Sequence, residues 1–353
     1  MKKLMAPIAI VLALFLLGSS VQAAPDLPKN HRYYEEIQYL MKKGVINEES
    51  DGKVRPNAVI TRAEVAVMIG RLKGLDGKKK DTKFKDVKKS HYASGYIAAV
   101  DKAGYLKGYK DGTYRPNQTI NRGDAALIVS RVFDLAFTFN NEFKDVRSDT
   151  ALSEAIAKVL AANITIGYSD NTFRPKAKVT RGEFAAFIAR GLEPKFKNDA
   201  VIKNSYQKDK TKTYTYARPD GSTEVHRFVN VPKRDGLTFG FMWTVKVGND
   251  VYEYMEFENY KLFAFAYPYS EYDQALAYPV KVGQKFNTGL GDETLINTIT
   301  GVNKTVKTRY KTFTNATEVT TKTGFKYYMA PGFATIKSID EKGRVVFELT
   351  SVK

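Results

Sequence analysis

The sequence predicts an α+β multidomain chain, with a helical repeat region followed by an antiparallel β sandwich or barrel-like domain. Three observations carry this prediction. One block recurs three times in tandem, ending in Val59-Ile60-Thr61-Arg62-Ala63-Glu64, Thr119-Ile120-Asn121-Arg122-Gly123-Asp124 and Lys178-Val179-Thr180-Arg181-Gly182-Glu183. The arginines lie 60 and 59 residues apart, and a fixed period marks a repeat architecture. Within each block the apolar residues follow a helical period, as in Tyr33, Ile37, Leu40 and Met41. After Arg190 the period changes to two, broken by turn signals such as Pro219-Asp220-Gly221-Ser222 and Gly248-Asn249-Asp250.

In chain order, Met1-Lys2-Lys3, the apolar run Leu4–Leu17 and the small residues Ala23-Ala24 read as a secretory signal peptide over residues 1–23. The run falls short of the about 20 residues that span a bilayer, so no membrane span is expected in the mature chain. The sequence holds no cysteine, which excludes disulfides and lipid attachment through a thiol. Its formal charge is +18, spread as +9 over residues 25–194 and +7 over 195–353. An evenly basic exported protein suits an anionic surface. Export and the lack of any nucleic-acid module argue against nucleic acid as a partner.

Each copy reads as helix, turn, helix. Gly44 and Gly104 suit the C-terminal cap of a first helix. Asp51-Gly52, Asp111-Gly112 and Asp170-Asn171 are turn residues, followed by Arg55-Pro56, Arg115-Pro116 and Arg174-Pro175. The second helix opens on a capping box: Thr61 with Glu64, Asn121 with Asp124, Thr180 with Glu183. Asp26, Asp86 and Asp145, the last two within Phe-Lys-Asp-Val, are expected to cap the helix that follows them. One helix pair cannot bury both apolar faces, whereas three packed pairs can. The motif arginines Arg62, Arg122 and Arg181 oppose the helix dipole at the first helical position. Two readings stand: a carboxylate site beside free helix N–H groups, or an internal salt bridge to Asp51, Asp111 or a neighbouring acid. A calcium loop would need more oxygen ligands than the turns supply, so neither metal nor cofactor is expected.

Phe84-Lys85-Asp86-Val87, Phe143-Lys144-Asp145-Val146, the run Gly108 to Pro116 and Ile60-Thr61-Arg62-Ala63-Glu64 resemble the S-layer homology family, over residues 25–194. The resemblance implies a pseudo-threefold, trimer-like helical bundle with three prongs. It implies grooves that hold an anionic secondary cell-wall polysaccharide, often pyruvylated, or another peptidoglycan-linked anionic polymer. The polysaccharide-binding set carried over is Arg62, Arg122, Arg181, Gly44, Gly104, Tyr33 and Tyr92. The third copy departs from the pattern, with Asn163 for glycine and Thr150-Ala151-Leu152 where the others carry His31-Arg32-Tyr33 and His91-Tyr92-Ala93. It is therefore expected to bind least. The resulting boundaries are repeats at 24–76, 81–137 and 140–194, a lysine-rich linker at 195–212 and a β-rich domain of unassigned function at 213–353.

In the β-rich part Trp243, Tyr252, Tyr254, Phe257, Tyr260, Phe263, Phe265, Tyr267 and Tyr269 read as cross-strand packing or as a sugar-stacking face. Glu253, Glu256 and Glu258 raise a glycosidase reading, but a solvated strand face is the commoner arrangement. His226 is the only histidine there, which excludes a triad or metal site needing two. The expectation is a non-catalytic secreted protein of the cell wall or S-layer, displaying a β-rich module beside S-layer or other surface proteins. The alternative is a wall-active hydrolase with its site in the C-terminal domain.

Overall fold

The structure is a computed structural model that describes residues 24–139, 143–268, 272–288 and 295–353. The signal-peptide reading of residues 1–23 and Tyr269 lie outside the described residues. The helical half contains α1 (Tyr34–Lys42), α2 (Arg62–Leu72), α3 (Ser94–Lys102), α4 (Arg122–Val132), α5 (Ala151–Ala161), α6 (Arg181–Leu192) and the single turn α7 (Pro194–Lys197). α2, α4 and α6 each begin with a complete capping box in which Thr61, Asn121 or Thr180 accepts from the backbone of Glu64, Asp124 or Glu183. Gly44 and Gly104 follow α1 and α3 at φ 68° and 79°, a region open to glycine at little cost.

The helices do not pair within a copy. α2 packs on α3, α4 on α5, and α6 returns to α1, so each copy contributes its second helix to the next copy's first. The backbone follows the same cycle. Ile60 N donates to Val179 O (3.0 Å), Val179 N to Ile120 O (3.3 Å) and Ile120 N to Ile60 O (3.1 Å). Ile60, Ile120 and Val179 are buried at this junction, in one apolar core that runs through all three copies.

Asp26, Asp86 and Asp145 do not cap the following helix. Each carboxylate clamps two backbone N–H groups far along the chain: Asp26 those of Val54 and Arg55 (3.0 and 2.7 Å), Asp86 those of Tyr114 and Arg115 (2.8 and 2.7 Å), Asp145 those of Phe173 and Arg174 (both 2.8 Å). Arg55, Arg115 and Arg174 stand at φ 54°, 57° and 58°. A non-glycine residue in this left-handed region costs roughly 1–2 kcal/mol, and the charge-assisted bonds offset it. Their side chains fold back on the turn aspartates, Arg55 on Asp51 (2.7 Å), Arg115 on Asp111 (2.9 Å) and Arg174 on Asp170 (3.3 Å).

Among the described residues, the C-terminal half forms a twelve-stranded antiparallel sheet, nearly closed into a barrel. Its strands are β1 (Thr213–Ala217), β2 (Thr223–Val231), β3 (Gly240–Val247), β4 (Asp250–Glu258), β5 (Leu262–Ala266), β6 (Tyr272–Ala277), β7 (Lys285–Asn287), β8 (Ile296–Lys307), β9 (Thr312–Thr321), β10 (Lys326–Ala330), β11 (Ala334–Ile339) and β12 (Val345–Val352). Except for β6 and β7, which form the two edges, neighbours in sequence are neighbours in the sheet, and β1 pairs with β12, as Tyr214 opposite Val352 and Tyr216 opposite Leu349. Between β6 and β7 a backbone bond from Gln274 N to Thr288 O (2.5 Å) bridges the remaining gap. Of the two architectures expected, the barrel is the one formed.

Residues 195–212 differ most from expectation. Instead of a solvated linker, the segment enters the barrel, and Tyr206, Gln207, Lys208 and Lys210 are buried there. Ser205 O and Tyr206 O accept from Gly332 N and Ala334 N (both 2.8 Å), fixing the segment to the turn between β10 and β11. Lys197 is buried too, donates to Ala162 O (2.6 Å), and has its pKa pushed down to about 7 by burial. The segment's lysine-rich composition hid this, because the ammonium groups find acceptors only in the folded chain.

Asp86→Ala is expected to destabilise the helical half by about 3 kcal/mol or more, since two charge-assisted bonds are lost at about 1.5–3 kcal/mol each. Asp86→Asn keeps one acceptor oxygen and is expected to cost less. Thermal unfolding followed by circular dichroism reads both; an unshifted midpoint in Asp86→Ala would show that the clamp does not support the turn.

Candidate functional site

The motif arginines begin α2, α4 and α6, but their side chains reach into the next copy. Arg62 donates Nε to Tyr114 O (2.8 Å) and Nη2 to Lys107 O (2.7 Å), with its guanidinium over the rings of Tyr109 and Tyr114. Arg122 repeats this on Phe173 O (3.0 Å) and Ile166 O (2.8 Å), and adds Thr165 Oγ1 (2.5 Å). Arg181 donates Nε to Val54 O (2.8 Å), but its Nη1 pairs with Glu64 Oε1 (2.5 Å) and its Nη2 makes no hydrogen bond with a described residue. The internal salt bridge expected with a neighbouring acid thus forms at Arg181, with Glu64, whereas none of the three pairs with Asp51, Asp111 or Asp170, which are held by the arginines of Arg-Pro.

The helix N–H groups beside these arginines are not free. Arg62 N and Ala63 N donate to Gln118 O and Pro116 O (both 2.9 Å). Arg122 N and Gly123 N do the same to Ala177 O and Pro175 O (2.8 and 2.9 Å), and Arg181 N and Gly182 N to Ala58 O and Pro56 O (2.9 and 2.8 Å). A carboxylate site built from unsatisfied helix N–H groups is therefore excluded at all three positions. Any anion must be read by side chains.

One groove presents such side chains. It encloses about 610 Å³ and is lined by Val45 to Ser50 of the first copy, Glu64, Met68 and Arg71 of α2, Tyr92 of the second copy and Arg181 of the third. Arg71 is half-buried and its side chain makes neither ion pair nor hydrogen bond with any described residue. Tyr92 is 56% exposed, stacks on His91 at 4.8 Å, and feels the charges of Glu64 and Arg181 together. Gly44 precedes the Val45–Ser50 wall and lets the chain leave α1 with positive φ. The groove thus offers the unpaired guanidinium of Arg71, an Arg181 paired through one nitrogen with Glu64, and an aromatic platform, beside the carboxylates of Glu48 and Glu49.

Site residues expected by copy are redistributed by the interlocking. Tyr33 lies against the start of α6, where a Cβ on Gly182 would come within 3.0 Å of its ring, and it senses Arg122 rather than Arg62. In the third copy the counterpart of Arg71, Arg190, is buried and faces Glu36 at 3.7 Å. Asn163 takes φ 53° as the glycines do, and its Nδ2 donates to Glu256 O in the barrel (3.4 Å). The departures of the third copy thus accompany contact with the barrel. Arg181 itself belongs to a groove whose other walls come from copies one and two.

Inside the barrel, Glu256 and Glu258 share a face, but it is the interior and not a solvated one. Met255 and Phe257 on the opposite face of β4 pack toward the helical half, with Phe139 and Phe257 stacked. Glu256 Oε1 pairs with Lys208 Nζ (2.9 Å), and Glu256 Oε2 accepts from Lys208 N (2.8 Å). Lys208 Nζ also donates to Tyr254 OH (2.5 Å), which lies 3.1 Å from His226 Nδ1, and His226 Nε2 lies 3.3 Å from Glu224 Oε2. Burial pushes the His226 pKa down to about 4, so the ring is neutral near pH 7. Glu258 accepts from Tyr206 N (2.9 Å) and Tyr278 OH (2.5 Å), and burial raises its pKa. The sequence contained these residues, but the inward turn of the 195–212 segment that supplies Lys208 left no periodic signal. Among the described residues no group of three or more metal-ligating side chains converges, and no helix is long and apolar enough to cross a membrane.

Comparison with known proteins finds a family match within each of the three copies. Residues 25–66, 83–126 and 142–185 match the S-layer homology domain. The chain is 34% identical over 51% of its length to a cellulosome-anchoring protein of Acetivibrio thermocellus, of which the match covers 41%. It is 31% identical over 49% of its length to an S-layer protein of Bacillus thuringiensis subsp. finitimus, covering 22% of that protein. It is also 31% identical over 44% of its length to an amylopullulanase of Thermoanaerobacterium thermosulfurigenes, covering 9% of it. The chain therefore spans less than half of each of these curated relatives.

Two predictions separate structural from exposed cations. Arg62→Ala is expected to destabilise the helical half by about 3 kcal/mol, from two carbonyl bonds at about 1.5 kcal/mol or more each, whereas Arg71→Ala leaves the melting midpoint unchanged; equal midpoints for the two variants would reject the assignment. In the barrel, the unfolded chain binds a proton at His226 below about pH 6.5, while the folded chain resists it until about pH 4. Stability from this group is complete above pH 6.5 and is lost as pH falls toward 4, by about 3 kcal/mol. Denaturant titrations from pH 7 to 4 should show a shallower acid decline in His226→Gln than in the parent chain, and parallel declines would refute it.

Proposed function

We propose that this chain, which carries three S-layer homology domains, is a cell-surface protein held non-covalently on the bacterial cell wall and displaying its barrel as a module. The helical half is read as a pseudo-threefold bundle with one groove at each junction between copies, a reading supported by the cyclic hand-over of helices and backbone bonds. The wall ligand is read as an anionic secondary polysaccharide, with pyruvylated carbohydrate as the chemistry that fits best. The observation that carries this is the groove in which unpaired Arg71 and partly free Arg181 flank exposed Tyr92. A planar guanidinium matches a carboxylate, and an aromatic face beside it suits a sugar ring.

We read the chain as non-catalytic. In support, Glu256 and Glu258, the acids that first raise a hydrolase reading, are buried, and Glu256 is neutralised by Lys208. A glycosidase needs one carboxyl to protonate a leaving group and another to attack or activate water across an open cleft. The amylopullulanase relative motivates a direct test all the same.

Co-sedimentation of the full chain with purified wall, before and after removal of the non-peptidoglycan polymer, tests the anchoring. Binding is expected only to intact wall, and Arg71→Ala and Tyr92→Ala are each expected to weaken it about tenfold, the equivalent of roughly 1.4 kcal/mol. Undiminished pelleting on stripped wall would overturn the polymer assignment. Undiminished binding by both variants would overturn the groove. In the same incubations no soluble reducing ends should be released; release abolished by Glu256→Gln would instead establish the hydrolase.

A further inference from the structure

Between the buried 195–212 segment and the wall of the barrel lies a cavity of about 230 Å³, lined by Lys208, Glu224, His226, aromatic side chains of β1, β4, β5 and β12, and Thr335 and Ser338 of β11. We propose that this cavity is a binding site for a single neutral sugar ring, distinct from the groove of the helical half and independent of wall anchoring. Its size suits one ring, because pockets for larger ligands begin at about 300 Å³.

The charges select the ligand class. An aromatic cluster such as Tyr216, Tyr252, Tyr254 and Tyr267 could surround a cation. That role is already filled: Lys208 Nζ stands 4.8 Å from the Trp243 ring and 5.1 Å from that of Tyr254. A second cation would have to compete with it for the same ring faces. An anionic ligand would meet the carboxylate of Glu224, already committed to Arg218 and His226. A neutral polyhydroxylated ligand meets neither objection.

The polar groups also fit a sugar. The hydroxyls of Tyr216, Tyr267, Thr335 and Ser338 make no hydrogen bond with any described residue, although Tyr216 and Ser338 are buried. These hydroxyls line the cavity and are free to bond whatever fills it. The ladder from Lys208 through Tyr254 and His226 to Glu224 fixes the donor and acceptor directions of the floor. Tyr252 and Tyr267, 42% and 38% exposed, stand where a ring could enter and stack. A pyranose combines what this lining requires: an apolar C–H face for the aromatic rings and a hydroxyl rim for the polar groups.

Trp243 is the only tryptophan of the chain, fully buried under Lys208 and beside Tyr254, so its fluorescence reports on this cavity. The full chain is titrated separately with glucose, galactose, mannose, N-acetylglucosamine and N-acetylmannosamine, with choline and acetate as cationic and anionic probes. Binding is checked by saturation-transfer NMR. At least one neutral sugar is expected to give a saturable response. Tyr267→Ala, at the exposed mouth, should weaken it at least tenfold, and Ser338→Leu, which fills the cavity, should abolish it, while wall co-sedimentation of both variants is unchanged. Near-UV circular dichroism verifies that the variants retain their packing; if Ser338→Leu does not, Tyr267→Ala decides. No saturable response to any neutral sugar, a response indifferent to Tyr267→Ala, or tighter binding of choline or acetate would each overturn the proposal.

Discussion

The first N–H groups of α2, α4 and α6 end on carbonyl groups of the neighbouring copy, and the organisation of the helical half follows from that exchange. A helix start leaves several N–H groups without intrahelical partners, and burying them unpaired is costly. Here the capping box satisfies one inside the copy, while the next copy's Arg-Pro turn satisfies two more through Pro116 and Gln118, Pro175 and Ala177, or Pro56 and Ala58. The Arg-Pro turn must hold an arginine at positive φ to present those carbonyls, and the aspartate clamps from Asp26, Asp86 and Asp145 hold it there. The motif arginines extend the exchange with guanidinium bonds to the same turns. Because the third copy returns to the first, none of the copies completes its helix starts alone.

This interdependence makes the copies unequal in a particular way. A groove takes its walls from different copies, so a departure in one copy need not weaken the groove that holds that copy's arginine. Arg181 keeps Tyr92 and Arg71 as neighbours although its own copy lacks the aromatic and the glycine. The third copy's Asn163 meets the barrel instead, donating to Glu256 O, and Phe139, just before that copy, stacks on Phe257. The side of the helical half that meets the barrel is thus withdrawn from solvent, while the groove between the first loop and Tyr92 stays open.

Within the barrel the buried charges are arranged around an inserted segment. A buried ion pair costs several kcal/mol in desolvation and is tolerated only where geometry and further hydrogen bonds are good. Glu256 meets that condition by bonding both the ammonium and the backbone N–H of Lys208. Such a pair adds little net stability over apolar packing, but removing one partner would be severe, which ties the inserted segment to one position. The same pair occupies both oxygens of Glu256 and stands next to a small polar cavity.

The sequence by itself determined the repeat, its period, the capping boxes, the helices of each copy and the change to strands after Arg190, because each is set by contacts within a few residues. Thr61 with Glu64, or Gly248-Asn249-Asp250 between two alternating runs, fixes its local geometry whatever surrounds it. Only the tertiary structure decided where the long-range partners lie. Asp86 looks like a helix cap in the sequence and bonds Tyr114 and Arg115 instead, 28 and 29 residues away. Lys208 looks like part of a solvated linker, yet it is buried in the barrel against Glu256. In both cases a charged side chain follows the acceptor or donor that the fold brings to it, and charge patterns along a chain carry no record of that distance. The same reason hid the composite groove: Arg71, Tyr92 and Arg181 come from three copies, and only the closed cycle of helices brings them together.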